Sequence, residues 1–135
     1  MKVVDLMSRE LVTLGRNDTL DLANSIMSLG RIRHMPVLDE DGALCGIVSQ
    51  RDLFRGALAT ALGYGSAAQA KLLGSLLVKE VMATELFTST PETSIAEAGM
   101  LMLERKVGCL PVLDGGRLVG LITEADFVKH VVAGG

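Results

Sequence analysis

Two short segments of this 135-residue chain carry residue types that could bind a ligand, and both follow one pattern. GIVSQRD occupies residues 46–52, and GLITEAD occupies residues 120–126. Each begins with Gly, continues with two apolar residues and a hydroxyl residue, and ends with Asp. A hydroxyl at a helix N-terminus can bond a phosphate oxygen, where backbone N–H groups and the helix dipole also favour anions. An Asp three residues later can accept two hydrogen bonds from a ribose diol.

The same spacing also has a purely structural interpretation. Ser/Thr-x-x-Asp/Glu is typical of a capping box, in which the hydroxyl bonds the helix backbone and the acidic side chain bonds back. In this hypothesis Ser49 and Asp52 cap one helix, and Thr123 and Asp126 cap another. In this interpretation the first residue of each segment is glycine because strand and helix pack closely there and leave no room for a side chain. Both interpretations are open, and the repetition of the pattern favours ligand binding.

An internal repeat positions the two segments. A shift of 75 residues places the PVLD of 36–39 on the PVLD of 111–114, and a shift of 74 then places Asp52 on Asp126. Further matched positions are Met7 with Met82, Thr13 with Thr88, Ala23 with Ala98, and Met27 with Met102. The matches extend over too many positions to be a coincidence of composition, so we infer a duplication.

Three segments follow from this alignment. We predict one repeat over residues 1–62, a helical insert or linker over 63–77, and a second repeat over 78–135. The insert is rich in Ala and Leu. It either folds back on the module or helps to form a dimer interface or a lid.

Each repeat is predicted to contain a strand, a helix, a hairpin of two strands and a second helix, which is an α+β fold with a small three-stranded sheet per repeat. Apolar residues at positions i, i+3 and i+7 give the first helix of each repeat one buried stripe. The predicted elements are first strands at 11–14 and 86–89, helix caps at Thr19 and Ser94, hairpin strands at 34–38 and 43–48, and last helices that begin near Ser49 and Thr123.

Composition and charge exclude several classes of protein. Aromatic residues make up 3% of the chain and the net charge is −3, which argues against a nucleic-acid binder with stacking rings and a basic face. No apolar run reaches the ~18 residues that a membrane span requires. Asp5, Arg9 and Glu10 interrupt the N-terminus where a signal peptide would be apolar. We therefore expect a cytoplasmic protein without a membrane partner.

Catalytic and metal-binding patterns are also missing from the sequence. The chain has two His, and neither lies in a segment typical of a catalytic nucleophile and its base. The sequence also contains no Walker lysine and no zinc-binding motif. Cys45 and Cys109 occur in apolar runs and are interpreted as buried strand cysteines. The acidic stretch 39–41 is interpreted as a hairpin turn. We predict no catalytic residue and no metal site, and an enzyme is the least favoured hypothesis.

The doubled pattern resembles a pair of CBS domains, the module named after cystathionine β-synthase. The stretches HMPVLD…GIVSQRD and CLPVLDGG…GLITEAD carry the likeness, which covers nearly the whole chain apart from the insert. The resemblance implies two repeats related by a pseudo-twofold axis, with clefts that bind AMP, ADP, ATP, S-adenosylmethionine or dinucleotides such as NAD. It also implies a homodimer, in which two such pairs form a flat four-domain disc.

The resemblance assigns a role to individual residues. Asp52 and Asp126 would hold the ribose hydroxyls, and Ser49 and Thr123 would contact the α-phosphate. The full set of candidates is Thr13, Arg33, His34, Met35, Pro36, Gly46, Ile47, Ser49 and Asp52 in the first copy, and Thr88, Cys109, Leu110, Pro111, Gly120, Leu121, Thr123 and Asp126 in the second. The second copy reads Gly108-Cys109-Leu110 where the first reads Arg33-His34-Met35, so we expect one strong site and one weak or empty site.

The favoured function is therefore a stand-alone regulatory, energy-sensing module that needs no cofactor and takes an adenine nucleotide as its regulatory ligand. It would signal to a separate partner protein that the sequence does not identify. The alternative is a dimerisation or docking scaffold, in which the two segments serve only as helix caps.

Overall fold

The helices and strands follow the order that the repeat predicts, apart from an additional short N-terminal helix and a missing first strand in the second repeat. The computed structural model describes residues 1–61 and 76–135, so most of the insert predicted at 63–77 lies outside the described residues. The elements are α1 (Val3–Leu6), β1 (Leu14–Gly15), α2 (Leu20–Gly30), β2 (His34–Leu38), β3 (Leu44–Ser49), α3 (Gln50–Ala61), a 3-10 turn (Val78–Glu80), α4 (Ile95–Arg105), β4 (Cys109–Asp114), β5 (Arg117–Thr123) and α5 (Glu124–Val132). The predicted α+β fold is confirmed. In the part of the chain described, no helix has both the length and the apolar character needed to cross a bilayer.

The chain forms two compact units whose limits differ from those of the sequence repeats. The first unit is Val12–Leu86, and the second unit combines Met1–Leu11 with Phe87–Gly135. The N-terminal segment therefore packs in the unit that contains the second repeat. The repeat limits at 62 and 78 remain predictions about the sequence.

The first unit is built on a three-stranded sheet with the order β1-β2-β3. β2 pairs antiparallel with β3, while β1 pairs parallel with β2 through Leu14 opposite Val37. The side chain of Thr19 begins α2 by accepting the Leu22 N–H at 3.2 Å, as its position before an apolar stripe predicts. The stripe of α2 packs on the sheet in a core that contains Leu20, Ala23, Met27, Met35, Val37 and Val48.

The second unit repeats this plan with one strand fewer. β4 and β5 form an antiparallel pair, and Ser89 bridges to Val112 in parallel in place of a third strand. Ser94 begins α4 by accepting the Glu97 N–H at 3.1 Å. The core contains Val3, Ala98, Met102, Leu110, Val112 and Ile122.

The first strand of each repeat is shorter than the alternation of apolar and polar residues predicted. The strand expected at 11–14 lies at Leu14–Gly15, and these two residues pair with Val37 and Leu38 of β2. The strand expected at 86–89 is reduced to Ser89, which bonds Pro111 O and the Leu113 N–H at 2.9 Å each. Both predicted strand bounds were wrong, since pairing across the sheet sets the length.

A short strap completes each unit. Residues 1–8, the N-terminal strap, bury Val3 completely, and Ser8 and Leu121 exchange two backbone hydrogen bonds of 2.9 and 3.0 Å. Residues 76–83, the central strap, bury Val78 completely, and Ala83 and Ile47 exchange bonds of 2.9 and 3.1 Å. Each strap lies at the start of one repeat in the sequence but packs in the unit that contains most of the other.

The straps explain the glycines that open the two repeated segments. A Cβ on Gly46 would collide with the Sδ of Met82 and lie 3.1 Å from Ala83 O. A Cβ on Gly120 would lie 2.5 Å from the Sδ of Met7 and 3.1 Å from Ser8 O. The space beside each glycine is therefore filled by a strap.

Alanine at Gly46 or Gly120 is expected to lower the free energy of unfolding by about 1–3 kcal/mol, because the strap backbone must move to admit the methyl group. Gly15→Ala is the matched control, since a Cβ there meets nothing closer than Asp18 Oδ2 at 3.5 Å. Urea unfolding of the three variants measures the difference. Equal stabilities for all three would contradict the close approach of the straps.

Candidate functional site

The first candidate site is the junction between β3 and α3. The Ser49 N–H donates to Asp52 Oδ2 at 2.8 Å, and the Ser49 hydroxyl lies 2.9 Å from the same oxygen. In return, the Asp52 N–H donates to Ser49 Oγ at 3.1 Å. Both residues are half-buried. These reciprocal bonds confirm the capping box that the spacing predicted.

The junction between β5 and α5 repeats the two bonds to the Asp carboxylate. The Thr123 N–H donates to Asp126 Oδ2 at 2.8 Å, and the Thr123 hydroxyl lies 3.3 Å from that oxygen. The hydroxyl contact is longer than in the first copy, so it is the weaker bond. The duplication therefore extends from the sequence to individual atoms.

Capping uses only half of each carboxylate. Within the described residues, the bonds to Asp52 and Asp126 all end on Oδ2. The lone pairs of Oδ1 can accept hydroxyl protons from a ligand, because an ionised carboxylate accepts at both oxygens. The structural and ligand-binding interpretations of the two segments are thus compatible.

The helix N-termini offer fewer donors than the sequence suggested. The Gln50 N–H donates to Arg33 O at 2.8 Å, and the Glu124 N–H donates to Gly108 O at 3.1 Å. Among the described hydrogen bonds, the N–H groups of Arg51 and Ala125, the second residues of the two helices, take no part. Each junction therefore retains at least one backbone donor for an anion.

The hairpins bring some of the remaining candidates to the junctions. His34 lies opposite Ser49 and Pro36 opposite Ile47 in the first copy. Cys109 lies opposite Thr123 in the second, and Pro111 opposite Leu121. Thr13 and Thr88 each come one residue before a position that pairs with the hairpin, at Leu14 and Ser89.

Several apolar candidates lie in the cores. Met35 and Leu110 have no exposed surface and belong to the core clusters of their units. Pro36 and Pro111 are also fully buried. A ligand could contact these four side chains only after local rearrangement. Gly46 and Gly120 are covered on their Cβ side by the straps.

Two basic residues escaped the sequence prediction. Arg51 and Arg55 are exposed and lie four residues apart, on one face of the first turns of α3. Their position beside Asp52 could have been read from the sequence, because a helix predicted to begin near Ser49 places both residues at its N-terminus. The candidates predicted from the sequence include Arg33 and His34 but neither Arg51 nor Arg55.

An open depression of about 390 Å³ lies elsewhere in the second unit. Its lining residues are Thr88, Ser89, Thr93, Glu97, Ala98, Met100, Leu101 and Glu104. Of the candidate residues it contains Thr88 alone, and Asp126 and Thr123 are not part of it. The depression is therefore distinct from the strand-to-helix junction.

Cys45 and Cys109 do not form a disulfide, and Cys109 is buried, as its apolar run predicted. Cys45 is half-buried; burial raises the pKa of its thiol, and the nearby Asp39 carboxylate raises it further. Among the residues with described positions, no group of three His, Cys, Asp or Glu side chains is arranged to hold a metal ion.

Ser49→Ala is expected to lower the free energy of unfolding by about 1 kcal/mol, because α3 loses its N-cap hydroxyl and Asp52 loses a partner. Ser28→Ala serves as the control, since Ser28 is exposed within α2, where alanine is the better helix former. Thermal unfolding should show a loss for the first variant and none for the second. A loss of the same size in both would contradict the capping role.

Comparison with known proteins identifies the module. A family model for the CBS domain matches residues 3–59 and again residues 78–133. The chain belongs to the CBS domain family. Both junctions lie inside matched CBS domains, so the doubled GIVSQRD and GLITEAD segments occur at corresponding positions of a CBS pair.

Three similar proteins provide context for this CBS pair. A CBS domain-containing protein of Dictyostelium discoideum is 35% identical over 98% of this chain and 93% of its own length. The crystal structure of CBSX2 in complex with AMP is 27% identical, with a TM-score of 0.78, and the match covers 98% of this chain and 96% of that one. Inosine-5'-monophosphate dehydrogenase of Mycobacterium tuberculosis is 37% identical over 87% of this chain, but the match covers only 20% of that enzyme.

Proposed function

We propose that this CBS pair is a regulatory module that binds adenosine-containing ligands at its two strand-to-helix junctions and signals to a partner protein. The observation that carries the proposal is the pair of carboxylates, Asp52 and Asp126, each anchored through Oδ2, while Oδ1 accepts no bond from the described residues and can accept one from a ligand. The AMP complex of CBSX2, which is similar over nearly its whole length, supports this class of ligand. AMP, ADP and ATP lead the candidates, followed by S-adenosylmethionine and NAD.

In this proposal the ribose hydroxyls donate to Oδ1 of the two carboxylates. A carboxylate already fixed by a capping box needs no reordering when the ligand binds, which favours affinity. The single hydroxyl proton of Ser49 points toward Asp52, so a bond to an α-phosphate requires this hydroxyl to rotate. We therefore assign Ser49 and Thr123 first to positioning the carboxylates and second to the phosphate.

The module is proposed to sense ligands rather than to transform them. The match to one fifth of inosine-5'-monophosphate dehydrogenase supports this role, because there a similar segment forms a minor part of a larger enzyme. A sensing module binds its ligand and releases it unchanged. Incubation with ATP followed by chromatography should return the nucleotide intact.

We also propose that two copies associate. Each unit exposes large apolar side chains on a helix, with Leu29 of α2 at 88% exposure and Leu103 of α4 at 75%. Burying such side chains against a second copy would gain about 25 cal/mol per Å² of apolar surface. Sedimentation velocity should give twice the 14.3 kDa mass of the chain. A monomer at all concentrations would contradict the homodimer.

Thermal unfolding against a ligand panel tests the proposed function. The panel contains AMP, ADP, ATP with and without Mg²⁺, S-adenosylmethionine, NAD and GTP. A ligand present at a hundred times its Kd should stabilise the fold by about 2.7 kcal/mol. In the alternative hypothesis, a dimerisation or docking scaffold that binds no nucleotide, the two segments serve only as capping boxes. The absence of a shift with every adenosine ligand would favour the scaffold.

A further inference from the structure

The two junctions share their bonds to the Asp carboxylate but differ in charge. In the first, Arg33 lies directly before β2, and its carbonyl oxygen accepts the N–H of the first residue of α3 at 2.8 Å. Arg51 and Arg55 follow within the next turns of the same helix. All three arginines are exposed. Together with Asp52 they leave two net positive charges beside the candidate ribose site.

The second junction lacks this positive charge. Gly108 corresponds to Arg33. Its carbonyl oxygen accepts the N–H of the first residue of α5 at 3.1 Å, as the Arg33 carbonyl does for α3. Ala125 and Lys129 occupy the places of the two helical arginines, and Glu124 begins the helix. The charged side chains of this junction are Lys129, Glu124 and Asp126, which together carry one net negative charge. The junctions therefore differ by three charges.

The arginines of the first junction are not neutralised by neighbouring carboxylates. Every Asp and Glu of the chain lies in the part that the structure describes. There, carboxylate oxygens within 4.0 Å of a basic nitrogen occur at Lys2 and Arg16, and at neither Arg33, Arg51 nor Arg55. Exposed guanidinium groups that form no ion pair with a carboxylate can turn toward a phosphate and bind it through two parallel hydrogen bonds.

We propose that the first junction selects adenosine ligands that carry a phosphate chain, whereas the second selects adenosine ligands without phosphate, either uncharged or cationic. This inference rests on the proposed function, since it assigns a ligand class to each of the same two sites. ATP or ADP fits the first junction because several guanidinium groups can share its charge. Adenosine and the sulfonium of S-adenosylmethionine fit the second, where a phosphate would approach Glu124.

NMR of the full chain separates the two sites. Backbone N–H signals of Ser49 and Arg51 report on the first junction, and those of Thr123 and Ala125 report on the second. At low salt, ATP without Mg²⁺ should shift the first pair at concentrations at least tenfold lower than the second. S-adenosylmethionine should show the opposite order, and uncharged adenosine should shift both pairs at similar concentrations. Raising the ionic strength should weaken ATP binding and leave adenosine unaffected.

Charge variants complete the test. Arg51→Ala/Arg55→Ala should weaken ATP binding at the first junction at least tenfold and leave adenosine binding unchanged. Ala125→Arg, at an exposed position of α5, should strengthen ATP binding at the second. The same order of affinities at both junctions, or variants without effect on ATP, would overturn this inference while leaving the proposed function intact. Signals that respond to none of these ligands would overturn the proposed function itself.

Discussion

Removal of residues 1–8 is expected to abolish the protection of amides in β4 and β5, more than a hundred residues away in the sequence. The deletion takes away the fully buried Val3, which contributes about 1.5–3 kcal/mol through its burial. It also removes the hydrogen bonds from the Val3 N–H to Thr93 O at 2.8 Å and between Ser8 and Leu121. Each such bond contributes about 0.5–1.5 kcal/mol, so the total loss is a large part of a typical domain's stability.

A pair of point variants controls for the general cost of a truncation. Val3→Ala and Val78→Ala are matched by the repeat, and both side chains are completely buried. Each should cost about 2 kcal/mol, from the lost methyl groups and the cavity that remains. Hydrogen exchange should place the loss from Val3→Ala in β4 and β5, and the loss from Val78→Ala in β2 and β3. The reverse distribution would contradict the assignment of the straps to the two units.

Asp52→Asn and Asp126→Asn are each expected to weaken ligand binding at their own junction at least tenfold. A hydrogen bond to a charged group contributes about 1.5–3 kcal/mol, and asparagine offers a ribose hydroxyl no charged acceptor. Asparagine keeps a carbonyl oxygen that can still accept the N–H three residues earlier, so the helix cap survives in part. Isothermal titration calorimetry with AMP and ATP measures the loss.

Asp5→Asn separates ligand binding from helix capping. Asp5 accepts the Lys2 N–H on Oδ2 at 2.8 Å, the same local bond that Asp52 makes to Ser49, but it lies outside the two junctions. This control should lose a similar small amount of stability and keep full affinity. An equal loss of affinity in all three variants would show that the effect is one of stability. Full affinity in both junction variants would exclude the carboxylates from the site.

The parts of the fold that follow from neighbouring residues could be predicted from the sequence. The β2 limits at 34–38, the cap at Thr19 and the last helices near Ser49 and Thr123 all agree with the structure. These features depend on alternation, on a hydroxyl before an apolar stripe and on capping patterns, each of which is written within a few residues.

Features that depend on distant residues escaped the prediction. Nothing near Met7 in the sequence indicates that it packs on Gly120, since 113 residues separate them. The repeat did pair Met7 with Met82, and Gly46 with Gly120, but not either methionine with a glycine. The burial of Met35 and Leu110 was missed for the same reason, because a motif places a residue near a site without showing which way its side chain points.

The most direct test of the ribose site compares AMP with 2',3'-dideoxy-AMP, which lacks the diol, by isothermal titration calorimetry. For the unmodified chain, the dideoxy compound should bind at least tenfold more weakly than AMP. For Asp52→Asn/Asp126→Asn, the two ligands should bind with the same low affinity. The diol and the carboxylates are the two partners of one interaction, so once the carboxylates are replaced, removing the diol costs nothing more. Equal affinities of the unmodified chain for both ligands would contradict the assignment of the repeated Asp residues to the ribose.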